Sequence, residues 1–119
     1  MSYEVYKVLH IVGLALVVMS LGGITMHVLN GGTKESNTFR KGAMITHGVG
    51  LLLLLVAGFG MLAKLRIFAP PPWVIAKLVI WLLLGAFVAI AYRKPGAARK
   101  LWLAIPILVA VAGALAIYK

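Results

Sequence analysis

Three histidines and one lysine stand inside long apolar runs: His10, His27, His47 and Lys77, with Gly13, Gly50 and Trp81 among the residues around them. An imidazole or ammonium group is costly in hydrocarbon, so within a membrane-length run it is expected to face protein and to have a task there. A neutral imidazole is a good ligand for haem iron, and with methionine thioethers it also suits Cu(I). The chain has no cysteine, which excludes disulfides, thiolate metal sites and iron–sulfur clusters. Its acids, Glu4 and Glu35, lie outside or at the edge of the apolar runs. Di-iron carboxylate chemistry and proton-coupled export through a buried acid are therefore not expected.

The elements that must position these groups are four apolar runs at 5–29, 43–63, 73–92 and 101–118. Each is long enough to cross a hydrocarbon core of about 30 Å at about 1.5 Å per residue. Hydrophobic residues make up 63% of the 119 and the mean hydropathy is +1.06, more than a soluble domain of this size could bury. The short connections predict an all-α, integral membrane, antiparallel four-helix bundle forming a single domain over 1–119. Asn30-Gly31-Gly32 ends the first helix, Pro70-Pro71-Pro72 separates the second from the third, and Pro95-Gly96 makes the last turn. Pro106 is expected to bend the fourth helix.

Twelve Lys and Arg against two acids give a formal charge of +10. In a soluble protein that balance suggests nucleic acid, but here the basic residues lie mostly in loops, where lipid headgroups are the expected partner and no nucleic acid is. Lys34, Arg40, Lys41, Arg93, Lys94, Arg99 and Lys100 share one side; Lys7, Lys64, Arg66 and Lys119 fall on the other. The richer side is expected to be cytoplasmic, with both termini outside a bacterial-type plasma membrane. The first run is read as a retained helix, because its apolar part is too long for a signal peptide and has no good small-residue cleavage site.

Helices packed at a period of about 3.5 residues place His10, Gly13, Val17, Ser20, Ile24 and His27 on one seam. The second helix offers His47, Leu51, Leu54, Gly58 and Met61 beside Gly48, Gly50 and Gly60, and the third Lys77, Trp81, Leu84 or Gly85, Val88 and Tyr92. The glycines admit either a neighbouring backbone or a flat ligand. Counting from helix centres puts His10 and Lys77 at one level toward the outer face. His47 and His27 fall toward the inner face, with His10 and His47 roughly 18 Å apart along the membrane normal. These two histidines therefore cannot share one metal ion. His27 also sits where a helix-end cap is expected, and Lys77 within reach of the outer surface.

Lys7-Val8-Leu9-His10 followed by Ile11-Val12-Gly13, the Thr46-His47-Gly48 opening of a leucine run, and Trp73-Val74-Ile75-Ala76-Lys77-Leu78 with a later Leu84-Gly85 resemble the SirB-like family. They are also similar to HemJ-type protoporphyrinogen oxidases and to copper resistance protein D-like proteins. The resemblance implies b haem, with the recurring first-helix histidine and third-helix lysine falling on His10 and Lys77. The tryptophan of the HemJ type is Val17 here, its acidic pair before the fourth-helix proline is Ala104-Ile105, and the acid of the SirB-like second helix is Gly50.

The resulting expectation is a membrane b-type haem protein that passes electrons to an unidentified redox partner. It would hold one or two haems through His10 and His47 as iron ligands, with His27 completing the inner level and Lys77 the outer one. Gly13, Gly50 and Trp81 are expected to lie against the cofactor. A HemJ-like oxidation of a porphyrinogen is the enzymatic alternative. A third is copper handling through Met26, His27, Met44 and His47, although the middle of the bundle lacks a continuous ladder of sites. Gly-rich faces could equally pair helices of two copies in a homo-oligomer.

Overall fold

The computed structural model describes residues 2–118. It is all-α: α1 at Tyr3–Leu29, α2 at Arg40–Lys64, α3 at Pro72–Arg93 and α4 at Ala98–Ile117, the last entered through a short 3-10 turn at Pro95–Ala97. All four are long and apolar enough to cross a membrane. α2 and α3 overrun their apolar runs at both ends, and α1 and α4 begin before theirs, because end turns are fixed by local bonds rather than hydropathy. Ser2 caps α1 by accepting the Val5 N–H on its hydroxyl at 3.3 Å. Gly31, at φ 82°, lets the chain leave α1 in a conformation that side chains resist. Pro72 opens α3, where its missing N–H costs nothing.

Outward-facing Leu52, Leu82, Leu103 and Ile107 are each 60% or more exposed, a surface that suits acyl chains and not water. The interior is packed most tightly toward one end of the helices. There Val17, Leu21 and Ile24 of α1 are essentially sealed against Leu84, Phe87, Val88 and Ala91 of α3 and Ala98, Leu101 and Ile105 of α4. The same end is tied by Asn37 in the first connection, whose side-chain amide donates to the Tyr92 hydroxyl at 2.9 Å.

α1 and α2 form the closest pair, and two glycines explain why. A Cβ on Gly13 would stand 2.9 Å from the Gly50 carbonyl oxygen and the Leu54 nitrogen. One on Gly50 would stand 2.8 Å from the Gly13 carbonyl oxygen. Backbone thus touches backbone, which brings the neighbouring side chains of α1 within reach of carbonyls on α2.

Candidate functional site

α1 presents His10 one turn before the Gly13 crossing, and its ring lies over Gly58 of α2. His10 Nδ1–H donates to the Leu54 carbonyl oxygen at 3.0 Å. A carbonyl can only accept, so this bond fixes the tautomer and leaves Nε2 with a free lone pair. A backbone carbonyl holding the far nitrogen is the arrangement that orients histidine toward a metal.

His10 lines a cavity of about 500 Å³ at the end of the helices opposite the solid core. All four helices contribute to the walls, which are mostly apolar and, among the described residues, carry no carboxylate. Lys7, Lys77, Trp73 and Trp81 are there with His10. Lys77 Nζ stands 5.9 Å from the centre of the Trp73 ring, within cation–π range. Trp81 Nε1–H donates to the Leu51 carbonyl oxygen at 2.9 Å, pinning α3 to α2 at the deep side of the cavity. The site thus combines one oriented imidazole, two flat indoles and two cations around a volume suited to one cofactor-sized guest.

The other expected site residues are distributed differently. Gly13 and Gly50 face each other across the α1–α2 crossing, with no space between the backbones for a cofactor. His27 directs Nε2 into the first connection, donating to the Thr33 carbonyl oxygen at 2.9 Å with the Ser36 hydroxyl 3.1 Å away. There it closes the loop after α1, as the helix-end alternative anticipates.

His47 is 3% exposed, with Nδ1 3.3 Å from the Ser20 hydroxyl. Ser20 has one hydrogen, and the Leu16 and Val17 carbonyls at 2.8 and 3.1 Å compete for it at shorter range. Nε2 has no hydrogen-bond partner among the described residues. Of the two nitrogens, Nδ1 has the defined contact. His47 lines neither the 500 Å³ cavity nor a smaller one of about 340 Å³ beside Ser20 and His27.

His10 meets α2 at Leu54 and Gly58, whereas His47 meets α1 at Ser20. The two imidazoles thus occupy separate levels, about ten residues or roughly 15 Å apart along α1. Met26 and Met44 are exposed, at 43% and 42%. Among the described residues no three His, Cys, Asp or Glu side chains gather as a metal site. Sequence reasoning missed the Ser20–His47 pair, the Leu54 carbonyl and the presence of Lys7 at the cavity. The first had a signal, since Ser20 and His47 lie on facing seams at matching depth; a backbone acceptor has none.

No family model, curated protein or solved structure matches this chain.

Proposed function

We propose that the chain is an integral membrane b-type haem protein with a redox role, holding one haem in the 500 Å³ cavity through His10. Its four helices would cross a bacterial-type plasma membrane as an antiparallel bundle, with both termini outside and the arginine- and lysine-rich connections inside. The observation that carries the proposal is the 3.0 Å bond from His10 Nδ1–H to the Leu54 carbonyl, which leaves Nε2 its lone pair for an iron ligand. The resemblance of the Lys7–Gly13 and Trp73–Leu78 segments to SirB-like and HemJ-type proteins supports the same two residues, His10 and Lys77.

Haem, when bound, supplies a one-electron couple at its iron. Everything else falls to the chain's own side chains. His10 would hold the iron through Nε2. Lys7 and Lys77 offer positive charge to two carboxylates at the outer end of the cavity. Trp73 and Trp81 provide flat walls, and the aliphatic lining from α2 and α4 excludes water, favouring the less charged iron state. The inner histidines support no second haem: His27 is engaged by its loop and His47 is enclosed.

Porphyrinogen oxidation is the second reading, favoured by the same pair of lysines, which suits a substrate rich in carboxylates. It ranks lower because a cavity of about 500 Å³ takes one macrocycle and not cofactor and substrate together, and because no carboxylate lines it to move protons. The test is the absorption spectrum of protein purified after expression with haem supply. A Soret band that shifts on reduction and is lost in His10→Ala is expected. Colourless wild-type protein overturns the proposal.

A further inference from the structure

The smaller groove, of about 340 Å³ between α1 and α2, has no part in the haem reading. We propose that it holds one anionic phospholipid from the leaflet at that end, with the phosphate at Arg40 and Lys34 and an acyl chain along Met19 and Gly23. The proposal does not depend on the haem reading.

The residues lining the groove all belong to α1, the first connection and α2, so it lies on the outside of the α1–α2 pair. Met19 and Phe39 in its wall are exposed, toward the acyl phase. A Cβ on Gly23 would meet nothing within 4 Å. Glycine there serves no close helix approach, and it keeps a trough open that a longer side chain would fill.

The polar groups along the groove are already spoken for. At its deep end Ser20 and Thr46 return their hydroxyls to the Leu16 and Gly42 carbonyls, each at 2.8 Å, which leaves a mostly apolar floor with Ile24 and Ala43. At its shallow end His27 Nε2–H donates to the Thr33 carbonyl, and the Asn37 amide donates to the Tyr92 hydroxyl. What the groove itself offers is a trough for a hydrocarbon chain.

Positive charge stands over the shallow end. Arg40 follows Phe39 at the rim and donates Nη1–H to the Lys34 carbonyl at 3.3 Å, one residue along from the Thr33 carbonyl that His27 holds at 2.9 Å. That bond sets the guanidinium over the connection with further N–H groups to give. Lys34 and Lys41 are exposed in the same stretch. Glu35 is the acid of this connection, outnumbered at this end by seven basic residues, because the Asn37–Tyr92 bond brings the last connection alongside. A phospholipid with a net negative headgroup matches both parts, cationic rim and apolar trough. A zwitterionic lipid would bring a second cation to the rim, and free phosphate would leave the trough empty.

The experiment places the full chain in nanodiscs of equimolar phosphatidylglycerol and phosphatidylcholine with identical acyl chains, and counts the lipid that stays on the released protein by native mass spectrometry. One retained phosphatidylglycerol per chain is expected. Arg40→Gln should lower its retention roughly fivefold, the effect of one basic contact at a headgroup. Gly23→Leu, whose Cβ meets no neighbour, should lower it at least as far by filling the trough. Arg99→Gln, which removes a charge of the same end from α4 outside the groove, should retain the wild-type amount, and circular dichroism should show equal helix content in all three. Equal retention of the two lipids, or equal loss in Arg40→Gln and Arg99→Gln, overturns the proposal in favour of unspecific surface charge. Undiminished lipid on folded Gly23→Leu overturns it by removing the trough from the site. Displacement of the lipid by inorganic phosphate overturns it in favour of a simple anion site.

Discussion

Replacing Gly13 by alanine tests whether the α1–α2 crossing positions the histidines. The new Cβ would lie 2.9 Å from the Gly50 oxygen, the Leu53 Cβ and the Leu54 nitrogen, and the helices must give about 0.5 Å to restore an ordinary 3.4 Å contact. Two of those atoms are backbone, so no rotamer change relieves the clash. A rigid separation of that size takes the His10–Leu54 bond from 3.0 Å to about 3.5 Å and the Ser20–His47 contact from 3.3 Å to about 3.8 Å, at or past the limit of a hydrogen bond. Overpacking costs about 1–3 kcal/mol, and each hydrogen bond lost adds about 0.5–1.5 kcal/mol. Gly13→Ala should therefore destabilise the protein by roughly 2–6 kcal/mol, read as an earlier midpoint in denaturant titration of the micelle-bound protein. Haem retention should fall with it, since the bond that orients His10 is the one stretched. Gly23→Ala is the control, because nothing lies within 4 Å of a Cβ there; it should match the wild type or exceed it slightly through helix propensity. Equal behaviour of the two variants would refute the crossing as the element that sets the site.

His27→Ala should open the first connection to proteolysis around Thr33–Ser36, since Nε2 holds that loop, and leave the Soret band unchanged; loss of haem would make His27 a ligand after all. His47→Leu removes a buried nitrogen without a partner together with the contact to Ser20, two opposing effects of about 1 kcal/mol each, so the denaturation midpoint should change little and the haem content per chain should not change. A halved haem content would restore a second site at the inner level. Lys77→Gln should speed transfer of haem to a soluble acceptor protein roughly tenfold, the effect of about 1.4 kcal/mol from one charge-assisted contact, whereas an unchanged rate would remove Lys77 from carboxylate binding.

Much of the scaffold was legible because apolar length is a direct consequence of the bilayer. The expected runs at 43–63 and 73–92 became Arg40–Lys64 and Pro72–Arg93; the added turns carry basic residues that hydropathy alone does not count as helix. The α1 seam was legible too: Gly13, Val17, Ser20 and Ile24 are all buried, as a period of about 3.5 requires. Lys77 and His10 do line one cavity, as equal depth suggested. What periodicity could not supply was the use of each group. His27 lies on the same seam as His10, but its role depends on where residues 33–36 return, which no helical period encodes. Gly13 and Gly50 fit a flat ligand or a second backbone equally well in sequence, and only their mutual register decides for the backbone.

The polar groups inside the helices follow one economy, and it explains why the cavity lies where it does. Ser20, Thr25 and Thr46 each return a hydroxyl to a carbonyl four residues back in their own helix, Leu16, Leu21 and Gly42, so their polarity is spent locally. His10 and Trp81 instead reach across to α2, at Leu54 and Leu51, one turn apart. α2 meets α1 closely and α3 only sparingly, so its link to α3 at this level rests on the indole bond more than on packing. Leu51 of α2 also packs against Gly85 of α3, 3.5 Å from where a Cβ would stand, and the 500 Å³ cavity opens beside this thin seam with both His10 and Trp81 in its wall. The features that make this region poorly packed are therefore those that orient the imidazole and leave room in front of it, which a bundle optimised for packing alone would have filled with leucine.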